Sequence, residues 1–327
     1  MSKPSNSDRQ QQTQRIAIIG VGLIGRSWAI VFARAGFDVA LFDAQAEARE
    51  CAMSRIKASL ADIARQDLLD SATADAAAGR IRICEELETA VGDATHVQEC
   101  VSEDLSVKQA LYRRLDAWAP VGAVLASSTS FLAASRFTKD LPGRSRCLVA
   151  HPVNPPHLVP LVELVPAPWT DGAVVERTRA LMDAVGQAPI TLRKEIQGFV
   201  LNRLQGALLA EAFRLVEDGV ADTADVDRAV ADGLGLRWSF MGPFETIDLN
   251  APAGVADYCA RFGPMYYEMA QSQADPRAWT PALVTQIERE RRARLDEPDL
   301  QRRQDWRDRR LAAVVAAKRR AARDIGE

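Results

Sequence analysis

The alternation of hydrophobic and polar positions begins with a short apolar, β-branched segment, Arg15–Ile19. Such a run predicts a buried strand. The segment Leu23–Ala35 has the pattern of a helix, and Gly36 marks its end. Residues 37–42 predict a second strand that leads into Asp43. The order strand, helix, strand is typical of the first repeat of a parallel sheet.

The same rhythm continues along the first part of the chain. Residues 44–80 are polar and Ala-rich, and they form a longer interval than a crossover needs, so we expect an inserted helical hairpin there. Further strands are predicted at residues 81–83, 95–100, 123–127, 147–150, 161–165 and 190–192. The fold class is therefore α/β, with an N-terminal Rossmann-type, doubly wound, mostly parallel sheet.

A complete G-x-G-x-x-G motif joins the first strand to the first helix. Gly20 allows a tight turn, Gly22 allows the backbone to approach a diphosphate, and Gly25 allows the helix to lie close to the sheet. Asp43 follows about twenty residues after the motif, where an acid accepts hydrogen bonds from ribose hydroxyls and repels a 2′-phosphate. The motif predicts NAD as cofactor, and the assigned cofactor residues are Gly20, Gly22, Leu23, Ile24, Gly25 and Asp43.

After Phe199 the strand signals end and helical periodicity takes over, so we predict an all-α C-terminal domain. With 327 residues and 47% apolar content, the chain can bury the cores of two domains. We predict a disordered tail at residues 1–14, which are rich in Ser, Gln and Asn. An NAD-binding domain is expected at residues 15–193, and a helical domain at residues 194–327.

Composition excludes several classes of function. A net charge of -3 gives no reason to expect nucleic acid or an anionic membrane as partner. No segment is long enough to span a bilayer. The five cysteines, at positions 51, 84, 100, 147 and 259, lack metal-binding spacing. We expect no metal, a reducing cytoplasmic environment, and cysteines that only fill buried space. In the Arg-rich last forty residues, interleaved acids favour a solvated helical face over a nucleic-acid-binding arm.

His151, one of only three histidines, begins a segment with four prolines between positions 152 and 160. Proline removes a backbone donor and fixes φ, so we expect a stiff, irregular loop after the strand at residues 147–150 rather than a strand or helix. Imidazole titrates near neutrality, and a rigidly held His151 is therefore a candidate proton acceptor. The alternative is a purely structural histidine.

Several motifs, in this order, together resemble the L-3-hydroxyacyl-CoA dehydrogenase superfamily, and within it the lambda-crystallin or L-gulonate 3-dehydrogenase branch. The resemblance covers about residues 15 to 270. The motifs are Gly20–Gly25, Ser127–Ser130, His151–Pro156, Leu161–Glu163, Gly198–Arg203, and Gly233–Trp238 with Met241–Glu245.

The resemblance implies roles for individual residues. It assigns catalysis to Ser130, His151, Glu163 and Asn202, and it places Glu103 and Lys108 beside the nicotinamide half of the cofactor. Ser128 and Asn154, which lie in the same motifs, are further candidate cofactor contacts. His151 is expected to take the proton of a secondary alcohol while Glu163 orients the imidazole and stabilises its charge. Ser130 and Asn202 would hold the reacting oxygen. Without the resemblance, Glu163 could be an edge carboxylate, Ser130 a helix cap and Asn202 a polar helix position.

Departures from the acyl-CoA enzymes point to a different substrate. Ser128 stands where those enzymes have Asn, and Pro152-Val153 replaces two aromatic residues. Arg237 adds a cation suited to gripping a free carboxylate, which a thioester lacks. The alternative is that Arg237 forms a surface or interface ion pair.

We therefore hypothesise an NAD-dependent enzyme that oxidises the 3-hydroxyl of a small free L-3-hydroxy acid similar to L-gulonate. One alternative is an acyl-CoA dehydrogenase, for which Arg55 and Lys57 could meet CoA phosphates, although acids at positions 62, 67, 70 and 75 leave no basic cluster. Carnitine dehydrogenation and a non-enzymatic, crystallin-like role are the others. From the resemblance we also expect a homodimer formed by the helical substrate domain, and a substrate cleft between the two domains.

Overall fold

The computed structural model describes residues 14–66 and 68–326, so the predicted disordered tail lies outside the described residues except for Gln14. Eight strands form one sheet in the order β3-β2-β1-β4-β5-β6-β7-β8. The strands are β1 Arg15–Ile19, β2 Asp38–Phe42, β3 Ile81–Ile83, β4 His96–Glu99, β5 Val124–Ser127, β6 Cys147–Pro152, β7 Leu161–Pro166 and β8 Ala188–Thr191. Neighbours are parallel except β6 and β7, which are antiparallel. The predicted doubly wound, mostly parallel sheet is confirmed.

Helices flank the sheet and continue beyond it. They are α1 Leu23–Arg34, α2 Ala46–Arg65, α3 Ser71–Gly79, α4 Leu87–Val91, α5 Leu105–Trp118, α6 Ser135–Thr138, α7 Gly172–Ala184, α8 Leu201–Glu217, α9 Thr223–Arg228, α10 Gly235–Trp238, α11 Pro243–Leu249, α12 Gly254–Ser272, α13 Pro281–Arg292 and α14 Leu300–Ile325. The packed helices α2 and α3 form the inserted hairpin that the sequence predicts. No helix among the described residues is long and apolar enough to cross a bilayer.

Two apolar clusters cover the two faces of the sheet. In β1, Ile16 and Ile18 face a cluster that contains Trp28 of α1, while Ala17 and Ile19 face the other cluster. This alternation follows from the two-residue period of a strand. Burial of both faces leaves the carboxyl ends of the strands, where the glycine motif lies, as the edge at which ligands bind.

The described chain divides into two compact units. The first contains the residues up to Asn202 and those from Asp305 onward, and the second contains Arg203–Gln304. The first unit therefore holds the whole sheet together with most of α14, whose Ala312 belongs to one of the apolar clusters. The second unit is helical.

The expectation of an irregular loop at His151 is wrong, because β6 extends through His151 to Pro152. Pro152 lies opposite Val162 of β7, and the next residue, Val153, donates its N–H to the Leu161 carbonyl. Hydrogen bonds to β7 use every second residue, so none is required of Pro152. On the other side, β5 pairs only as far as Val149. A proline at this position therefore removes no ladder hydrogen bond.

The expectation that all the cysteines are buried is also wrong. Cys84 and Cys147 are buried and Cys100 is partly buried, but Cys51 and Cys259 are exposed on helices α2 and α12. Both helices are amphipathic, and the residue type of a cysteine does not by itself reveal which helix face it occupies.

Candidate active site

His151 and Glu163 are directly opposed residues on the antiparallel strands β6 and β7. The imidazole Nδ1 lies 2.8 Å from Glu163 Oε2, and the two residues are 5% and 0% exposed. An ionised carboxylate can only accept, so Nδ1 is the donor, and in the neutral imidazole the lone pair lies on Nε2. The buried ring of Phe199 packs against the imidazole at a centroid distance of 5.5 Å. The imidazole is thereby held in place, and in the part of the chain that the structure describes no hydrogen bond occupies Nε2.

The second oxygen of Glu163 lies at the beginning of helix α8. Oε1 accepts hydrogen bonds from the N–H groups of Val200 at 2.8 Å and Leu201 at 3.0 Å. Gly198 and Phe199 have φ values of 77° and 50°, and this left-handed turn directs the two N–H groups toward the carboxylate. Burial alone would raise the pKa of Glu163, but the hydrogen bonds from His151, Leu201 and Val200 outweigh it and lower the pKa. Glu163 is thus kept ionised beside His151.

Ser130 and Asn202 meet beside this pair. Asn202 is the residue after Leu201, and its side-chain Nδ2 donates to the Ser130 carbonyl at 3.0 Å. The Ser130 N–H donates to Glu103 Oε1, and the Thr129 hydroxyl donates to Glu103 Oε2 at 2.7 Å. A continuous chain of contacts therefore joins all four residues that the resemblance assigns to catalysis, and Glu103 supports the turn that carries Ser130.

Lys108 is a buried lysine that forms an ion pair within the protein. Its side chain is 1% exposed, and its ammonium lies 2.8 Å and 3.0 Å from the two oxygens of Glu99, whose side chain is 0% exposed. Glu99 also accepts from the Ser127 hydroxyl at 2.5 Å and the Val101 N–H at 2.7 Å. The nearest oxygen of Glu103 is 3.9 Å from the ammonium. Lys108 thus reaches the site through Glu103, and its predicted contact with the nicotinamide stays a prediction.

Ser128 is occupied by hydrogen bonds within the protein. Its hydroxyl oxygen accepts from Trp28 Nε1 at 3.1 Å and Gln98 Nε2 at 2.8 Å, and lies 3.3 Å from Cys100 Sγ. Gln98 Nε2 also lies 3.2 Å from the carbonyl of Ala150, the residue before His151. Ser128 therefore joins β4, β5 and β6 below the site. This set of partners differs from the cofactor contact that we assigned to it.

Asn154, the other cofactor residue assigned from a motif, follows the end of β6. It is exposed in the bend between His151 and the prolines that come after it. Its predicted contact with the cofactor stays a prediction.

The glycine motif borders a cavity of about 920 Å³ in the first unit. Gly20 has φ +103°, and a Cβ there would lie 2.6 Å from the Cys100 carbonyl, so only glycine fits. A Cβ on Gly25 would lie 1.8 Å from the Gly20 carbonyl, whereas one on Gly22 would meet no protein atom within 4 Å. Gly22 thus faces the open cavity. This is the arrangement expected where a diphosphate approaches the backbone.

Asp43 lines the same cavity at the end of β2. Its carboxylate accepts from the N–H groups of Val21 at 2.7 Å and Gln45 at 2.9 Å. Each oxygen retains a lone pair for a ribose hydroxyl. The residues present therefore fit a dinucleotide.

Arg237 lies in the second unit, on the short helix α10, and is exposed. No carboxylate forms an ion pair with it among residues 14–66 and 68–326.

Sequence reasoning missed Gln98 and Glu99. The segment predicted as a buried strand at residues 95–100 contains His96, Gln98 and Glu99, all of which are buried. Buried polar groups require partners, so three of them in one strand were a usable signal of a hydrogen-bonded network. The partners Lys108, Ser127 and Ser128 come from other elements, which the signal does not identify.

The fold and the site together define an NAD-dependent dehydrogenase with a histidine–glutamate pair. Residues 15–196 match the family model "3-hydroxyacyl-CoA dehydrogenase, NAD binding domain", and residues 198–286 match "3-hydroxyacyl-CoA dehydrogenase, C-terminal domain". The chain belongs to the 3-hydroxyacyl-CoA dehydrogenase family, in the lambda-crystallin branch, and NAD is its cofactor.

Individual relatives agree with this assignment. The chain is 40% identical to lambda-crystallin of Oryctolagus cuniculus over 307 residues, which covers 93% of this chain and 96% of that protein. It is 37% identical to L-carnitine dehydrogenase of Streptomyces coelicolor over 265 residues, 81% of this chain and 80% of that one. Among solved structures, a 5-formyl-3-hydroxy-2-methylpyridine 4-carboxylic acid 5-dehydrogenase, an NAD-dependent dismutase, has a TM-score of 0.74 at 27% identity and covers 93% of this chain and 97% of its own.

Proposed function

We propose that this protein oxidises the 3-hydroxyl of a small free L-3-hydroxy acid similar to L-gulonate, with His151 as general base. The observation that carries the proposal is the buried hydrogen bond of 2.8 Å between His151 Nδ1 and Glu163 Oε2. It leaves Nε2 as the nitrogen that takes the hydroxyl proton. Glu163 then stabilises the imidazolium, because its own charge is held by the amides of Val200 and Leu201.

Oxidation of an alcohol needs a hydride acceptor as well as a base. Bound NAD supplies the nicotinamide carbon that accepts the hydride. On the protein side, the Ser130 hydroxyl and the Asn202 amide hold the substrate oxygen while His151 removes its proton. The hydrogen bond from Asn202 Nδ2 to the Ser130 carbonyl supports this arrangement, since it fixes the two residues relative to each other.

Arg237 leads us to propose that the substrate carries a free carboxylate. The residue is exposed and forms no ion pair with the acids of the described chain, so its two parallel donors are available for a carboxylate. The similarity to L-carnitine dehydrogenases supports the substrate class, because carnitine is a free 3-hydroxy acid. L-gulonate is our proposal for the substrate itself.

The helical hairpin gives little support to an acyl-CoA substrate. Arg55 lines the dinucleotide cavity, Asp62 pairs with Arg65, and Asp70 caps α3 through the Thr73 N–H. Lys57 is the remaining exposed cation of the two considered for CoA phosphates. A single lysine is a weak site for a multiply charged phosphate group.

A substrate screen tests the proposal directly. Purified protein with NAD is assayed against L-gulonate, L-carnitine, 3-hydroxybutyrate and 3-hydroxybutyryl-CoA by the formation of NADH. We expect the free acids to be oxidised with higher kcat/KM than the thioester, and Arg237→Met to lower kcat/KM for the acids about a hundredfold. A preference for the thioester, or an Arg237→Met variant with unchanged kinetics, would contradict the proposed substrate class.

We also propose a homodimer formed by the second unit. Large apolar side chains are exposed there, among them Leu204, Trp238, Phe240, Phe244, Tyr267 and Met269. Exposed apolar groups in this number are typical of interaction surfaces. Sedimentation analysis should show a dimer, and Phe244→Glu should shift it toward monomer.

A further inference from the structure

Two arginines, Arg26 and Arg55, line the cavity beside the glycine motif, and neither has an acidic partner among the described residues. Arg26 lies in the first turn of α1, and its Nη1 donates to the Val21 carbonyl at 2.7 Å. Arg55 is an exposed residue of α2 that lines the same cavity. Across residues 14–66 and 68–326, no carboxylate forms an ion pair with either guanidinium.

Arg26 and Arg55 line one cavity, and their positive charges repel each other there. Burial lowers the pKa of Arg26, and the charge of Arg55 lowers it further. An anion bound between them would remove this repulsion. The same wall contains Gly20 and Gly22 at the start of α1, where free N–H groups favour phosphate.

We propose that Arg26 and Arg55 form a clamp on the diphosphate bridge of NAD, in addition to the glycine motif. Arg26 follows Gly25 directly, so it belongs to the helical turn that meets the diphosphate in this fold. The cavity wall also contains two acids, Asp43 and Glu47. Their negative charges act against a 2′-phosphate on the ribose rather than against the diphosphate bridge. The clamp concerns the cofactor and is independent of which hydroxy acid is the substrate.

Binding measurements on the full chain test the clamp without any turnover. NADH is titrated by fluorescence, and ADP-ribose, which keeps the diphosphate but lacks nicotinamide, is titrated by calorimetry. We expect Arg55→Met to weaken both ligands equally, about tenfold, because a charge-assisted contact is lost. The variant should also show less weakening of NADH binding between about 50 and 500 mM salt. Lys57→Met removes the same charge from the same helix outside the cavity, and it should leave both affinities unchanged.

Arg26 is tested in two variants because it also holds the Val21 carbonyl. Arg26→Met should weaken NADH and ADP-ribose at least as much as Arg55→Met, and Arg26→Lys should recover part of the affinity. Thermal denaturation checks that each variant is folded. If Arg26→Met does not fold, Arg55→Met alone tests the clamp, because Arg55 is exposed. The clamp is wrong if Arg55→Met binds both ligands as the original protein does. NADPH is titrated as well, and a loss of affinity for NADPH alone would also contradict the clamp, because it would assign Arg55 to a 2′-phosphate.

Discussion

Two buried acids of the sheet, Glu99 on β4 and Glu163 on β7, solve the same physical problem in different ways. Both are 0% exposed, and each has one basic side chain within 2.8 Å. Glu99 pairs with Lys108, whose side chain has a single nitrogen. That nitrogen is bound to Glu99, so no basic atom remains for another molecule. Glu163 faces His151, which keeps Nε2 for another molecule.

The directions of the two carboxyl pKa values differ. Burial raises the pKa of Glu99, despite the opposing effects of Lys108, Ser127 and Val101. For Glu163, the hydrogen bonds of His151, Leu201 and Val200 exceed the effect of burial, and the pKa is lowered. Glu99 therefore depends on Lys108 for its charge, whereas two backbone amides help to maintain the charge of Glu163. The comparison assigns a structural role to the first pair and a chemical role to the second.

The largest expected effect is on turnover. His151→Gln removes the proton acceptor, and we expect kcat to fall about a thousandfold. NADH affinity should change little, because His151 does not line the cavity at the glycine motif. The free energy of unfolding should also change little, because the Gln amide can still donate a hydrogen bond to Glu163. Steady-state kinetics measure kcat, and NADH titration measures the affinity for the cofactor. A variant with normal kcat would contradict the chemical role that we assign to His151 and Glu163.

Breaking the other pair should affect stability instead. Lys108→Met leaves Glu99 as an unpaired buried carboxylate, and we expect the free energy of unfolding to fall by about 3 to 5 kcal/mol. Urea denaturation measures the loss. The double variant Glu99→Gln with Lys108→Met should recover part of it, because no buried charge remains. An equal loss in the single and double variants would contradict the role of Lys108 as the neutralising partner.

Replacing the acid of the catalytic pair should have an intermediate effect on turnover. Glu163→Gln keeps the shape but removes the charge that stabilises the imidazolium, and we expect kcat to fall about thirtyfold to a hundredfold. Glu163→Asp, which restores charge at a greater distance, should recover part of the rate. A loss of substrate affinity with unchanged kcat would instead indicate a purely structural acid.

The smallest expected effect is a pH dependence of stability. The pKa of Glu163 in the folded chain is below the ordinary 4.5, so the folded state binds fewer protons there than the unfolded state. Its contribution to stability is present above pH 4.5 and is lost as pH falls through the folded-state pKa. The difference in unfolding free energy between the original protein and Glu163→Gln should therefore shrink on acidification. A constant difference would show that the ionised form is not favoured by folding.

Much of the sheet could be predicted from the chain because buried parallel strands are continuous apolar runs, as in Arg15–Ile19. The glycine motif and Asp43 could be assigned because their spacing is local. The contact between His151 and Glu163 could not be derived from spacing, since it depends on the register of two strands. The prolines also misled us, because their cost depends on which side of the strand lacks a neighbour.

The position of the histidine and its acid on opposed strands has a consequence for changes in chain length. The connection at residues 153–160 lies outside both strands, but residues 155–158 are buried and Leu158 belongs to an apolar cluster. An insertion at exposed Asn154 can therefore leave the pair aligned, whereas one at residues 155–158 would disturb the core. A deletion of one residue inside β7 would instead turn the carboxylate to the opposite face of the sheet. Insertions at Asn154 should therefore be tolerated, whereas a change of length inside β7 should abolish turnover.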